Sequence, residues 1–167
     1  GLASDGRAVY EDRYNSGIGS NGLTMARHEL LTHSYAESYP ETYDPGLEQD
    51  LVYTGNYKLT DVPQGMEHPV GEMLLAPTRT YLPFIRSLLS DMGPVVQGLI
   101  HCTGGGQAKV KNFLSNLQVV KDHLMPVPPV FRLIQEQTQT PWETMYQVFN
   151  MGHRLEVYVE HRHAQAV

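Results

Sequence analysis

Apolar side chains recur every three to four residues in several stretches of this 167-residue chain, the spacing of one face of an α-helix. The first such stretch begins at Leu23, directly after a polar, glycine-rich segment over residues 5–21. The same spacing predicts a helix over residues 81–89, another that opens at Pro129, and one over residues 142–149. We expect the apolar faces of these helices to pack on a sheet.

Short runs rich in β-branched and apolar residues predict the strands of that sheet. These runs lie at residues 95–101, 119–120 and 155–159, and the last of them alternates in polarity. A helix-like stretch over residues 107–114 separates the first two runs, which gives the order strand, helix, strand. This order predicts the α+β fold class, as a layered α/β domain with a mixed sheet flanked by helices.

Residues 40–70 interrupt this pattern, because they contain four prolines and few periodic apolar positions. We expect an irregular surface insertion there, with one short strand at residues 51–53. The short apolar run at residues 1–4 and the unpartnered stretch at 160–167 both look cut from longer elements. Residues 1–167 are therefore expected to form a single domain that is truncated at both ends.

Length and charge limit the functional classes. The chain fits one domain, and its formal net charge of −6 argues against a nucleic-acid groove, which needs a dominant surface of Lys and Arg. Cys102 is the only cysteine, so an intrachain disulfide cannot form, and its position predicts a small buried side chain. Apolar runs stay far below the roughly 20 residues that cross a bilayer. We expect a cytoplasmic protein without a membrane or nucleic-acid partner.

Three consecutive glycines, residues 104–106, stand between the first predicted strand and the helix-like stretch. Glycines let backbone amides turn inward, and the start of a helix adds unpaired N–H groups and a positive dipole end. A phosphate is the usual occupant of such a loop. The alternative interpretation is a simple strand-to-helix turn.

The eight histidines and the single cysteine give no strong sign of a metal site or a nucleophile. His28 with His33, and His161 with His163, lack the spacing of the H-E-x-x-H zinc helix. A G-x-S-x-G nucleophile turn is absent from the sequence. We therefore predict no protein-only metal site and no covalent catalysis.

Four motifs together resemble those of the aminoimidazole ribonucleotide synthetase family, the phosphoribosylformylglycinamidine cyclo-ligases. Residues 101–106 resemble H-x-T-G-G-G, residues 74–81 resemble L-L-x-P-T-R-x-Y, and residues 143–152 resemble E-M-x-x-x-F-N-x-G. Residues 20–22 match the last three positions of the family's H-S-N-G loop, and Gly19 stands where the family usually has the histidine. The glycine triplet and S-N-G also resemble hydrogenase maturation, thiamine-monophosphate kinase and selenophosphate synthetase proteins, but P-T-R-x-Y favours the purine enzyme.

The resemblance implies that the chain is the C-terminal domain of a homodimeric cyclo-ligase. That enzyme uses ATP and Mg²⁺ to convert formylglycinamidine ribonucleotide into aminoimidazole ribonucleotide in purine biosynthesis. The N-terminal ATP-binding domain of the same enzyme would be the partner and would supply most of the Mg²⁺ ligands, so we expect this fragment alone to be inactive. The alternatives are a fragment of another ATP-using member of the superfamily and a non-catalytic binding module.

The resemblance also assigns roles to individual residues. A first group would hold ATP phosphates: Thr103, Gly104, Gly105, Gly106, Ser20, Asn21 and Gly22. Arg79 and Asn150 would bind the substrate, and His101 would be catalytic, by donating to a developing charge or by moving a proton. From spacing alone, Arg79 could instead form a salt bridge or cap a carbonyl, Asn150 could be a turn residue, and His101 could be a strand-end histidine satisfied by backbone.

Overall fold

The computed structural model describes residues 14–20 and 22–167. Within these residues it is an α+β domain with one antiparallel strand pair and several helices. The helices are α1 (Leu23–Leu30), α2 (Ser34–Ser38), α3 (Val70–Leu74), α4 (Leu82–Met92), α5 (Pro129–Thr138) and α6 (Trp142–Val148), and the strands are β1 (Val96–His101) and β2 (Leu155–Val159). The predictions of helices from Leu23, in 81–89, from Pro129 and over 142–149, and of strands at 95–101 and 155–159, are confirmed to within a residue or two.

The sheet is smaller than the sequence predicts. β1 and β2 pair antiparallel, with His101 opposite Leu155 and Leu99 opposite Val157. The mixed sheet does not form among the described residues, where these two strands make the one regular sheet. The strand predicted at residues 119–120 is wrong, because Val120 is largely exposed and the surrounding segment has no strand to pair with. Two valines favour a strand only when a neighbouring strand covers them.

Helices α1, α3, α5 and α6 build the core. The proline that opens α5 fixes a helical φ at its first position, and the next turns direct their apolar residues inward. The ring of Phe131 meets that of Phe149 at 5.6 Å between centroids, which joins α5 to the end of α6. The largest fully buried side chains are Ile18, Leu30, Val52, Val70, Met73, Val130, Phe131, Ile134, Met145, Phe149 and Met151.

The insertion over residues 40–70 is not a simple surface excursion, because Val52 and Tyr53 are buried in the core. The predicted strand at residues 51–53 is wrong, since Tyr53 has a φ of +50° that a strand cannot contain. Two histidines hold this segment. Nδ1 of His28 accepts a hydrogen bond from the Tyr53 N–H at 3.3 Å, and Nδ1 of His33 donates to the carbonyl oxygen of Val52 at 2.9 Å.

Two helical predictions change in detail. The stretch after the glycine triplet is a 3₁₀ helix over Gly106–Phe113 rather than an α-helix. On α4, Leu88 is buried, whereas Phe84 and Leu89 are about half exposed, so the predicted apolar stripe is only partly covered. None of the helices in the described part of the chain is long and apolar enough to cross a membrane.

Candidate functional site

Residues that are far apart in the sequence line one narrow cleft. The loop before α1, the segment before α4, the end of β1 and the turn after α6 all reach it. The side chains and backbone that line it belong to Ile18, Gly19, Ser20, Thr78, His101, Cys102, Thr103, Asn150 and Arg154. Four of the predicted site residues therefore come together here: Ser20, His101, Thr103 and Asn150.

Thr78 connects the loop before α1 to the segment before α4. Its Oγ1 accepts a hydrogen bond from the Ser20 N–H at 3.3 Å. At Gly19 the backbone has a φ of +58°, and a Cβ placed there would lie 2.8 Å from Thr78 Oγ1. Glycine at position 19, where the family motif has histidine, lets the two segments touch.

Asn150 is buried, and its side-chain amide forms hydrogen bonds with the backbone of the protein. Its Nδ2 donates to the carbonyl oxygens of Gly17 and Ile18 at 3.0 and 3.2 Å, and its Oδ1 accepts from the Gly152 N–H at 2.8 Å. These bonds use both amide hydrogens and one oxygen lone pair. The arrangement supports the turn-residue interpretation of Asn150, which holds the loop before α1 in place.

His101 ends β1 with its ring at the cleft. The ring contacts Tyr81 edge to face, with 5.6 Å between centroids. Burial lowers the pKa of His101, and the positive charges of Lys109 and Arg154 lower it further. A neutral imidazole can accept a proton, so the lowered pKa leaves His101 in the form that a general base requires.

The glycine triplet divides into an open part and a packed part. All three residues have positive φ, at +61°, +88° and +50° for Gly104, Gly105 and Gly106. Gly104 and Gly105 are exposed beside Thr103. Gly106 is buried, and a Cβ there would lie 2.5 Å from the carbonyl oxygen of Phe149. The first two glycines are therefore exposed beside the cleft without lining it, while the third allows close packing on α6.

Lys109 stabilises the segment that leads into the glycine triplet. Its Nζ donates to the carbonyl oxygens of Thr103 and His101 at 2.7 and 3.0 Å. The sequence analysis did not single out this lysine, although its position three residues after the triplet places it one turn into the following helix. Its charge adds to the positive potential around the cleft.

Gly22 does not line the cleft, and its role is to let the start of α1 pack on Phe149. Its φ is +70° and a Cβ would lie 2.2 Å from Cε1 of Phe149, so only glycine fits at this start of α1. The predicted role of Asn21 falls on a position outside the described residues. Of the S-N-G motif, the structure thus places Ser20 at the cleft and Gly22 against the core.

Arg79 lines a second, adjoining cleft. Tyr81, Phe84, Leu155 and Val157 form its more apolar walls. Arg154 lines both clefts, and sequence reasoning missed it. The signal that could have revealed it is a basic residue two positions after the F-N-x-G motif.

Acidic groups are absent from the lining of both clefts in the part of the chain that the structure describes, although the whole chain carries a net charge of −6. Among the residues that the structure describes, no three His, Cys, Asp or Glu side chains converge as a metal site would require. The two clefts thus combine hydroxyl and guanidinium donors, which is a set suited to anions.

Cys102 is buried, as predicted. Burial raises the pKa of its thiol to about 12, and the neighbouring carboxylate of Glu156 contributes to the rise. Such a thiol stays protonated at neutral pH and is a poor nucleophile. Lys121 donates to Glu156 and to the backbone oxygen of Gln107, so this group of residues ties the 3₁₀ helix to β2.

A scan against protein-family models gives no match to the chain. Curated proteins do match it, and several of them are phosphoribosylformylglycinamidine cyclo-ligases. The protein from Methanopyrus kandleri is 35% identical over 153 residues, which cover 92% of this chain and 37% of that protein. The protein from Enterococcus faecalis is 35% identical over 163 residues (95% and 42%), and that from Bacillus subtilis is 32% identical over 153 residues (89% and 37%). The chain therefore spans about two fifths of the length of these relatives.

Proposed function

Because the chain belongs to the phosphoribosylformylglycinamidine cyclo-ligase family, we propose that it is part of an enzyme that closes the imidazole ring of aminoimidazole ribonucleotide. The observation that carries the proposal is the meeting of Ser20, Thr78 and Thr103 at one cleft. These residues come from three of the family motifs, which lie far apart in the sequence and become neighbours only in the fold.

The donors of the cleft suit a phosphate oxygen, and its cavity of about 10 Å³ has room for one such atom rather than for a whole phosphate. Ser20 and Thr103 carry hydroxyl groups there, and Gly104 and Gly105 are exposed next to Thr103. ATP, when bound, supplies the phosphoryl group that activates the amide oxygen of formylglycinamidine ribonucleotide for ring closure. The hydroxyls of Ser20 and Thr103 would then donate hydrogen bonds to phosphate oxygens, and these bonds strengthen as negative charge accumulates.

His101 would take up the proton that the ring-closing nitrogen of the substrate loses. Its lowered pKa keeps the imidazole neutral and able to accept this proton, and nearby Lys109 and Arg154 favour its rapid release. Arg79, in the adjoining cleft, would bind the phosphate of the substrate. Asn150 would contribute by positioning the loop that carries Ser20.

We further propose that the chain acts with a nucleotide-binding region that corresponds to the remaining length of its relatives. That region would contribute most of the Mg²⁺ ligands, and the assembled enzyme would be a cytoplasmic homodimer. The proposal is supported by the match to about two fifths of each relative and by the lack of Asp and Glu among the described residues that line the two clefts.

The test compares this chain alone with a protein that joins it to the region covering the rest of the relatives' length. ATP-dependent formation of aminoimidazole ribonucleotide is expected only from the joined protein. Thr103→Val in that protein should lower kcat/KM by about 10- to 100-fold, since a hydrogen bond to a charged group contributes roughly 1.5–3 kcal/mol.

Thr60→Val at an exposed threonine is the matched control and should leave kcat/KM unchanged. Absence of turnover from a folded joined protein would contradict the cyclo-ligase assignment and favour a non-catalytic binding module. Turnover by this chain alone would contradict the division of the active site between two regions.

A further inference from the structure

Arg154 stands between the two clefts and lines both of them. We propose that it is a phosphate-binding residue, and that its guanidinium joins the two clefts into one continuous site for a phosphate monoester. The identity of the ligand rests on the proposed function. The anion site itself rests on the geometry below.

One edge of the guanidinium is fixed by the protein. Nη2 of Arg154 donates to Oδ1 of Asn15. The same Asn15 oxygen accepts from the Gly17 N–H at 3.1 Å, and the Asn15 Nδ2 donates to the carbonyl oxygen of Pro77 at 2.7 Å. Asn15 thus connects the guanidinium to the loop before α1 and to the segment that carries Thr78 and Arg79.

The other terminal nitrogen of the guanidinium, Nη1, has an unused hydrogen-bond donor. Nη1 of Arg154 is buried and has no hydrogen-bond partner among the described residues, while the Tyr81 hydroxyl lies within hydrogen-bonding reach of another part of the guanidinium. A buried charged donor without an acceptor is costly, typically more so than a neutral one. A phosphate oxygen would satisfy it, and the planar fork of arginine suits such an acceptor better than a lysine ammonium does.

The charge around Arg154 favours the same ligand. Among residues 14–20 and 22–167, neither cleft is lined by Asp or Glu. Lys109 adds a second positive charge on the β1 side, and Arg79 adds a third in the adjoining cleft. Positive charges that converge on a recess raise the local concentration of anions.

The lining and the size of the two clefts indicate which class of phosphate would bind. The first cleft, of about 10 Å³, offers the hydroxyls of Ser20 and Thr103 to a single phosphate oxygen. The second, of about 450 Å³, has apolar walls from Phe84, Leu155 and Val157 and room for an organic group. A phosphate attached to an organic group would use both, whereas inorganic phosphate would use only the polar part. The 5′-phosphate of a ribonucleotide and the terminal phosphate of ATP share this chemistry.

Calorimetric titration of the full 167-residue chain with ribose 5-phosphate, ATP and inorganic phosphate tests the proposal. Arg154→Met should weaken binding of the preferred phosphate by about tenfold or more, and Arg154→Lys should recover only part of that loss because the fork is gone. Arg162→Met, at an exposed arginine paired with Glu160, is the matched control and should leave the affinity unchanged. Tighter binding of ribose 5-phosphate would identify the substrate phosphate, and tighter binding of ATP the nucleotide phosphate.

Amide NMR of the unsubstituted chain gives a second readout that needs no variant. Addition of the preferred phosphate should change the amide chemical shifts of Ser20 and Thr103, which line the first cleft with Arg154, and of Leu155, which follows Arg154 in the sequence. Shifts confined to other residues, or an unchanged affinity in folded Arg154→Met, would overturn the proposal. Arg154-dependent binding without turnover by the joined protein would keep the anion site and reject the cyclo-ligase assignment.

Discussion

The side-chain amide of Asn150 donates a hydrogen bond of 3.0 Å to the carbonyl oxygen of Gly17, which lies 133 positions earlier in the chain. This bond joins the turn after α6 to the loop before α1 inside the protein, where water cannot replace it. Because Ser20 follows on the same loop, the bond also fixes one wall of the candidate site. Stability and site geometry are therefore linked through one side chain.

Asn150→Ala should lower the free energy of unfolding by about 2–3 kcal/mol, since it leaves two buried carbonyl oxygens without a donor. Urea unfolding followed by circular dichroism measures the change. Asn56→Ala, the same substitution at an exposed asparagine, is the control and should stay within about 0.5 kcal/mol of the unsubstituted chain. Equal effects of the two substitutions would show that the Asn150 bonds do not hold the loop.

The two ends of the glycine triplet should respond differently to a methyl group. Gly106→Ala should cost roughly 2–5 kcal/mol of stability, because a Cβ would lie 2.5 Å from the carbonyl oxygen of Phe149 at a φ of +50°. Gly104→Ala should cost only about 1–2 kcal/mol, since its positive φ is unfavourable but nothing lies within 4 Å of the added carbon. Denaturant unfolding of both variants measures the two losses in the free energy of unfolding. Similar costs would mean that the third glycine is not a packing residue.

The sequence predicts the helices well because their apolar spacing is local. α5 is the clearest case, since Pro129 fixes its start and four of the next five residues are buried in the core. The sheet is predicted less well. Residues 119–120 have the composition of a strand, but strand formation depends on a neighbouring strand that local sequence does not specify.

The candidate site, like the fold, could be predicted from the sequence only in part. Motifs identified Ser20, His101 and Thr103, and the fold brings these residues to one cleft. The place of Arg154 two positions after the F-N-x-G motif is visible in the sequence, but its role depends on Asn15 on a distant segment and on a cleft formed by four parts of the chain. The role of Asn150 likewise depends on a partner more than a hundred positions away.

Acidification should destabilise the fold partly through His28. Burial lowers the pKa of His28, and the charge of Arg27 lowers it further, while its Nδ1 accepts a hydrogen bond from the Tyr53 N–H. The native state therefore binds fewer protons here than the unfolded state. The stability contributed by neutral His28 is complete above its ordinary pKa of 6.5 and is lost as the pH falls from there toward the lower folded value.

Urea unfolding at about pH 7.5 and about pH 5.5 measures this loss. His28→Gln offers a neutral acceptor to Tyr53 and should reduce the difference in unfolding free energy between the two pH values. His161→Gln, at an exposed position, is the control and should leave the difference as it is in the unsubstituted chain. The interpretation fails if His28→Gln and the unsubstituted chain lose the same stability on acidification. His101 and His153 also have lowered pKa values, mainly through burial, so part of the loss will remain in the variant.

Leu88 and Leu89 are adjacent on α4 but should differ in their contribution to stability. Leu88 is 7% exposed and Leu89 is 45% exposed, although the sequence places both on one apolar stripe. Leu88→Ala should therefore cost about 2–5 kcal/mol, and Leu89→Ala less than about 1 kcal/mol. Because both substitutions carry the same change in helix propensity, the difference between them isolates burial. Denaturant unfolding of the two variants measures that difference. A larger loss in Leu89→Ala would mean that the half-exposed face of α4, with Leu89 and Phe84, is covered in solution and that the helix packs through it rather than through Leu88.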